Sequence, residues 1–308
     1  MTLVIAGYSY GDFEQESIYF ASDSNITQNN VVMVNGFKKV IEVPIKMQGL
    51  SFSGEWFNDY YHKSKNDAVC AIAFAGSTLV AQHMINSIKN HLTELYPWYR
   101  NGKYILAMSC EGSKQLRNGD YDESMFLPRH INSLINADYI SDVVEHSINA
   151  VLDKARKHTS MRNHFGAYQA EFLLGIQCPQ DRKYYLYKYE IVEDPILEAV
   201  VKKTVIRRNA IAMIGSGKFK QDYFEKVVFK EAFDNRIFTK NDFQISSLTH
   251  EYNSFFGTHG FVYAGKRVFK LLNEVIDYEN STRSNIIGKP SGLFELQDGI
   301  LKRVGFER

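Results

Sequence analysis

The chain has 308 residues, of which 44% are hydrophobic and 23% charged, and its 36 basic and 35 acidic side chains leave a formal charge of +1. This composition is that of a globular protein. The balanced charge argues against nucleic acid as a partner. No apolar run approaches the roughly 18 residues that a membrane span needs. The first residues lack the basic segment of a secretory signal and the 3 cysteines are widely spaced, so we expect reduced thiols, no membrane partner and a cytoplasmic location.

The N-terminal segment has the pattern of strands that pair through turns. The apolar runs 3–6 and 18–21 are separated by a polar stretch and predict a hairpin with a long loop. The runs 31–34 and 40–43 flank Asn35-Gly36, which supplies the positive φ angles of a tight turn. They predict a second strand pair.

The middle of the chain alternates predicted insertions with regular elements. Residues 45–69 show no clear period and are interpreted as a surface insertion. The continuous apolar run 69–74 predicts a strand covered on both faces, and the spacing of apolar residues over 79–95 predicts a helix. Residues 97–137 are interpreted as a second insertion that contains a strand at 104–108.

The second half begins with a predicted helix over 138–155, where apolar residues form one stripe. Three strands are predicted next, at 170–177, 183–191 and 210–214. Two helices follow in the prediction, at 223–233 and 242–256. The C-terminal part is interpreted as strands at 261–272, 292–296 and 300–304, the last two joined by Asp298-Gly299.

This order of strands and helices predicts an α+β protein. Strand runs that alternate with helix pairs, rather than with single crossover helices, favour antiparallel sheets covered by helices. A four-layer αββα sandwich satisfies the order, because two sheets pack face to face and each outer face takes one helix pair. We expect a single domain over 1–308 that carries the two insertions.

Several short segments follow one another in an order that resembles a known family. They are Thr2 before the first strand, Phe20-Ala21-Ser22-Asp23-Ser24 at the end of the second, Lys39 before Val40-Ile41-Glu42-Val43, Ala73-Phe74-Ala75-Gly76-Ser77 leading into a helix, and Ile214-Gly215-Ser216-Gly217 before another. This succession resembles the catalytic β-subunits of proteasomes and their bacterial proteasome-like relatives, which are N-terminal nucleophile (Ntn) hydrolases. The resemblance covers the framework of most of the chain.

The resemblance implies roles for five residues. Thr2, once the initiator methionine is removed, would be the nucleophile, and its own α-amine, which titrates near ~8, would be the general base. Lys39 would stay protonated beside the Thr hydroxyl, with Asp23 as its partner. The backbone N–H of Gly76 would bind the oxyanion, and Ser216 would support the α-amine through a hydrogen bond.

The activity that the resemblance implies is hydrolysis of peptide or other amide bonds through an acyl-ester on Thr2, without a cofactor or metal. It also implies a homo-oligomer with peptide or protein substrates, and it allows an ATP-dependent unfoldase as a partner. One departure favours a second hypothesis, a proteasome-like structural or binding subunit without turnover. Where the family has an Asp after the last helix, residues 253–260 have none, and Ser254, Thr258 and His259 are the candidates to replace it. A small-molecule amidase is a third hypothesis.

Three local features have alternative interpretations. Lys38 is a rival of Lys39, and strand alternation places the two on opposite faces; Lys39 is favoured because it directly precedes Val40. The segment Gly215-Ser216-Gly217-Lys218 could bind phosphate at a helix N-terminus, but it lacks the spacing of phosphate-binding loops. The 9 histidines include no H-E-x-x-H pair, and no Cys/His cluster has zinc spacing, so no metal is expected.

Overall fold

The structure, a computed structural model, describes residues 2–10, 16–28, 31–61, 68–100, 103–108, 121–127, 130, 133–158, 160–208, 210–215, 250–251, 264–281 and 286–308. Within these residues the chain is a mixed α/β protein with mostly antiparallel sheets. No helix in the described segments is long and apolar enough to cross a membrane.

The elements are numbered in chain order. The strands of the first half are β1 Leu3–Tyr10, β2 Glu16–Ser22, β3 Ile26–Gln28, β4 Val31–Val34, β5 Val40–Ile45, β6 Gly49–Ser53, β7 Trp56–Tyr61, β8 Ala68–Gly76, β9 Leu95–Arg100 and β10 Lys103–Met108. Those of the second half are β11 Ala170–Gln177, β12 Tyr184–Asp194, β13 Glu198–Ile206, β14 Ala210–Gly215, β15 His250–Glu251, β16 Ser291–Gln297 and β17 Ile300–Glu307. The helices are α1 Thr78–Thr93, α2 Ala137–Arg156, α3 Phe165–Tyr168 and α4 Ala264–Ser281.

Two larger sheets form the centre of the fold. The six-stranded sheet runs in the order β15-β14-β1-β2-β16-β17, and the five-stranded sheet runs β13-β12-β11-β8-β5. All pairs within both sheets are antiparallel. Three two-stranded sheets, β3-β4, β6-β7 and β9-β10, complete the described strands.

Both faces of the central strands are buried, and strand alternation divides the core between them. On β1, Leu3 and Ile5 pack in a cluster with α4, whereas Val4 and Ala6 pack in a cluster formed by the two large sheets. The outer face of the five-stranded sheet, through Phe172 and its neighbours, packs against α1 and α2. The run 3–6 of β1 therefore has to be apolar throughout, because a polar residue on either face there would meet a core.

The two predicted insertions form hairpins that pack on one another. The hairpin β6-β7 lies in the first insertion, and β9-β10 lies in the second. Phe57, Trp98 and Phe126 join in a small separate core, and the Tyr60 hydroxyl donates to the Pro97 carbonyl over 3.2 Å. The two segments predicted to be insertions thus bury apolar side chains against each other.

Most sequence-predicted elements that lie in described residues are observed. The predicted helices correspond to α1 and α2, and the hairpin of runs 3–6 and 18–21 is the pair β1-β2. The turn Asp298-Gly299 joins β16 to β17 with positive φ angles of 50° and 71°. The strand β13 was not predicted. The helices predicted at 223–233 and 242–256 lie outside the described residues, so the αββα sandwich with a helix pair on each side stays a prediction.

The pairing predicted across Asn35-Gly36 is wrong. The run 31–34 is β4, which pairs with β3, whereas the run 40–43 belongs to β5 and pairs with β8. The physical reason is that Gly36 and Phe37 bond to Ser24 instead of closing a hairpin: the Gly36 N–H donates to Ser24 Oγ over 3.2 Å and the Phe37 N–H to the Ser24 carbonyl over 3.0 Å. Those bonds direct β5 into the other large sheet.

The strand predicted at 261–272 is also wrong, because residues from Ala264 onward form the helix α4. Its buried residues include Val268, Leu272, Val275 and Ile276, which share one helical face against the six-stranded sheet. Burying each such side chain contributes about 1.5–3 kcal/mol. That gain exceeds the few tenths of a kcal/mol by which β-branched and aromatic residues disfavour a helix.

Two of the three cysteines lie in the described core. Cys70 on β8 and Cys178 after β11 are buried, and neither forms a disulfide. Burial raises the pKa of the Cys70 thiol to about 12. Cys110 lies outside the described residues.

Candidate active site

A buried ion pair joins the two large sheets at one end. Asp23 follows β2 of the six-stranded sheet, and Lys39 precedes β5 of the five-stranded sheet. Lys39 Nζ lies 2.7 Å from Asp23 Oδ1, and the two side chains are 2% and 0% exposed. Each buried ion loses several kcal/mol of hydration, so such a pair persists where further hydrogen bonds satisfy it.

The Asp23 carboxylate also fixes the start of β1. Its Oδ1 accepts the Leu3 N–H over 2.9 Å, and its Oδ2 accepts the Asn25 N–H over 3.1 Å. The Asp23 N–H in turn donates to the Leu3 carbonyl over 3.3 Å. Since Leu3 directly follows Thr2, these bonds hold the half-buried Thr2 within one residue of the ion pair.

The Lys39 ammonium has two protein acceptors. Besides Asp23 it donates to the Asn25 carbonyl over 2.8 Å, and its third N–H has no partner among the described residues. Burial lowers the pKa of Lys39 from its ordinary value, and the charge of Asp23 opposes that shift. The expectation that Lys39 stays protonated remains a prediction.

The end of β14 touches the backbone of Thr2. Gly215 lies opposite Leu3 in the β1-β14 register and has a φ of +112°. A Cβ at Gly215 would stand 1.9 Å from the Thr2 carbonyl oxygen. Only glycine allows both this left-handed backbone and this close approach.

A second charged group, which the sequence analysis did not identify, lies on the facing five-stranded sheet and binds the backbone of Gly215. Glu171 Oε2 accepts the Gly215 N–H over 2.5 Å. Lys188 Nζ lies 3.4 Å from Glu171 Oε1 and 2.8 Å from Glu190 Oε1, and its side chain is 7% exposed. Glu171 therefore contacts β14 directly, and Lys188 supplies the counter-charge.

One signal in the sequence could have identified these residues. Strand alternation puts Glu171 on the same face of β11 as Leu173, and Lys188 on the same face of β12 as Leu186. Leu173 and Leu186 are fully buried between the two sheets. A Glu and a Lys in register with buried leucines on neighbouring strands are a candidate buried pair rather than solvated charges.

Gly76 ends β8 near the same place. Its φ is +100°, and a Cβ there would stand 2.3 Å from the Gln169 carbonyl oxygen, so the position requires glycine. In the β8-β11 register Gly76 lies opposite Ala170, the residue before Glu171. A chain of contacts thus runs from Gly76 through the start of β11 to Gly215 and Thr2.

The structure therefore brings Asp23 and Lys39 together and places Thr2 directly before Leu3, whose N–H binds Asp23. It also links Gly76 to the same region through the start of β11. Ser216 lies outside the described residues, as do Ser254, Thr258 and His259. Lys38 is exposed and takes no part in the buried pair; its Nζ lies 5.8 Å from the centroid of the Phe294 ring.

A cavity of about 230 Å³ opens beside the ion pair. Its lining includes Asp23 and Lys39 together with residues of β16 and β17. In the described part of the chain no group of three or more His, Cys, Asp or Glu side chains could hold a metal ion. The chemistry available here is that of an ammonium, carboxylates and backbone N–H groups around a hydroxyl-bearing N-terminal segment.

Comparisons with known proteins give a distant structural likeness. No family model matches the sequence, and no curated protein matches it. Among the solved structures that match is Anbu (ancestral beta-subunit) from Yersinia bercovieri, with a TM-score of 0.45 and 11% sequence identity over 98% of this chain and 86% of that chain. A likeness of this degree establishes neither the family nor the activity of this chain.

Proposed function

We propose that the chain is a proteasome-like N-terminal threonine hydrolase that cleaves peptide or other amide bonds through an acyl-ester on Thr2, after Met1 is removed. The observation that carries the proposal is the double use of Asp23. The same carboxylate oxygen binds the Lys39 ammonium and the N–H of the residue directly after Thr2. A structural ion pair needs no such bond to the first residue of a strand, whereas a nucleophile at the chain terminus needs its backbone fixed.

The first half of the reaction would form the ester. The free α-amine of Thr2 takes the proton of the Thr2 hydroxyl, and Oγ adds to the substrate carbonyl carbon. The Lys39 ammonium, one N–H of which has no acceptor among the described residues, favours negative charge on Oγ. The Gly76 N–H is proposed to donate to the oxyanion, a contribution of about 3–4 kcal/mol in comparable sites.

The second half would release both products. The C–N bond breaks as the α-ammonium returns its proton to the leaving amine. Water then adds to the ester carbonyl, again with the α-amine as base, and the acid leaves while Oγ recovers its proton. Ser216 is proposed to hold the α-amine in position throughout these transfers.

The wider assignments follow from the same proposal. A cytoplasmic homo-oligomer would confine the hydrolytic sites, with peptide or protein as substrate and an ATP-dependent unfoldase as a partner for folded substrates. Native mass spectrometry of the purified chain tests the oligomer, since a monomer at micromolar concentration would contradict it.

The test of the nucleophile uses intact mass spectrometry. Protein isolated from cells is expected to lack Met1 and to gain one adduct per chain from a peptide epoxyketone, which reacts with an N-terminal hydroxyl and amine together. Thr2→Ala should abolish the adduct. Thr204→Ala, a change at another half-exposed threonine, should leave it intact.

The outcomes separate the hypotheses. No adduct on correctly processed protein contradicts the hydrolase and supports the structural subunit, which fits the missing Asp in 253–260. An adduct with turnover of small acyl-amides but of no peptide supports the small-molecule amidase.

A further inference from the structure

Two cations that pair with no described carboxylate line the cavity beside the Asp23–Lys39 ion pair. Lys38 and Arg303 both border it, one before β5 and the other on β17. Neither forms an ion pair in the described part of the chain. The carboxylate that borders the cavity, Asp23, already binds Lys39 and two backbone N–H groups. The cavity therefore carries positive charge that no described protein group neutralises.

Aromatic rings hold these cations at the cavity wall. Lys38 Nζ lies 5.8 Å from the ring centroid of Phe294, and Arg303 Cζ lies 4.7 Å from that of Phe306. Phe294 is also the cross-strand partner of Arg303. Each cation thus lies over a ring of the cavity wall, and the rings provide an apolar surface on which the stem of a ligand can pack.

A hydroxyl adds a neutral donor. Ser24 borders the cavity and is 7% exposed. Its Oγ accepts the Gly36 N–H over 3.2 Å, so its own proton is available to an acceptor in the cavity. Two cations, one hydroxyl donor and aromatic walls match an anionic group on a short apolar stem.

We propose that this cavity binds a carboxylate of the substrate, carried by an acidic side chain or by the C-terminus of a peptide, and so selects anionic peptides for the neighbouring site. The inference that the bound peptide is a substrate rests on the proposed hydrolase function, whereas binding of the carboxylate does not require turnover. A carboxylate fits the polar groups because a guanidinium and an ammonium bind it with charge-assisted hydrogen bonds.

The test is binding of four matched peptides to the full-length Thr2→Ala protein by isothermal titration calorimetry. The peptides carry Glu or Gln internally and end in a free acid or an amide. We expect the favoured carboxylate to tighten binding about fivefold, the upper range for a solvent-accessible ion pair. Weaker binding of the Gln peptides than of the Glu peptides would show that the cavity binds an acidic side chain. Weaker binding of the amides than of the free acids would show that it binds a C-terminus. The gain should shrink in high salt.

Three single variants and one double variant locate the effect. Arg303→Gln and Lys38→Gln should each reduce the preference, and the double variant should abolish it. Lys302→Gln removes the same charge from the neighbouring, exposed position on the opposite face of β17 and should keep the preference. Equal affinity for all four peptides, no binding of any, or an equal loss in Lys302→Gln would overturn the proposal. Tight carboxylate binding without cleavage by the wild-type protein would contradict the hydrolase alone.

Discussion

Replacing Lys39 by methionine tests the energetics of the buried ion pair. The substitution keeps an unbranched side chain, one atom shorter than lysine, but leaves the 0% exposed Asp23 without its counter-ion. Removing one partner of a buried pair costs about 3–5 kcal/mol. Asp23 retains two N–H bonds of 2.9 and 3.1 Å, so we expect the lower end, about 3 kcal/mol. With an unfolding entropy of about 2.1 cal/mol/K per residue, this lowers the Tm by about 5 °C.

The control is an exposed ion pair. Lys203 Nζ lies 2.5 Å from Asp142 Oδ1 and 2.9 Å from Glu145 Oε2, and its side chain is 24% exposed. Lys203→Met should cost less than about 1 kcal/mol. Tm is measured by circular dichroism, and urea unfolding of Lys39→Met, Asp23→Asn and the double variant completes a thermodynamic cycle. Equal losses in Lys39→Met and Lys203→Met, or no coupling in the cycle, would refute the reasoning.

Two further predictions concern the site and the core. Gly215→Ala should lower the rate of epoxyketone labelling at least tenfold, because the new Cβ would lie 1.9 Å from the Thr2 carbonyl oxygen and would push it away. Gly166→Ala is the control, since a Cβ there has no neighbour within 4 Å and should not change the rate. Equal labelling rates in the two variants would contradict the contact. Burial raises the pKa of Tyr189, whose hydroxyl donates to the Ser141 carbonyl over 2.9 Å. As pH rises above about 10, Tyr189 of the unfolded chain loses its proton before Tyr189 of the folded chain does, so the free energy of unfolding falls there. Tyr189→Phe should make this fall less steep, by up to about 1.4 kcal/mol per pH unit, when the free energy of unfolding is measured in urea at several pH values.

The sequence predicted elements well where a single face or a run decided the outcome. The stripe of α2 and the buried run of β8 needed only local periodicity. The pairing across Asn35-Gly36 failed because long-range bonds to Ser24 compete with a local turn, and no local pattern reports them. The helix α4 was misread because a short apolar run fits both periods when the rest of the helix is not considered.

The candidate site was predictable in part. Asp23 and Lys39 are 16 residues apart in sequence and meet across two sheets. Their spacing alone does not predict this contact, and the pair was named only because the order of short segments resembles a known family. Glu171 and Lys188 belong to no such pattern, and charged residues on strands usually face solvent. Their role in holding Gly215 became apparent only from the way the two sheets face each other.

The buried cysteines bear on how an electrophile partitions over this chain. A thiol must ionise to attack, and Cys70, whose pKa is raised to about 12, is almost entirely protonated at neutral pH. Cys178 is 3% exposed and so is shielded from reagent. A Cys110→Ala background removes the third thiol. In native protein of that background, a reagent that modifies thiols, amines and hydroxyls reports on the oxygen and nitrogen nucleophiles. After denaturation the same reagent also labels the two remaining thiols.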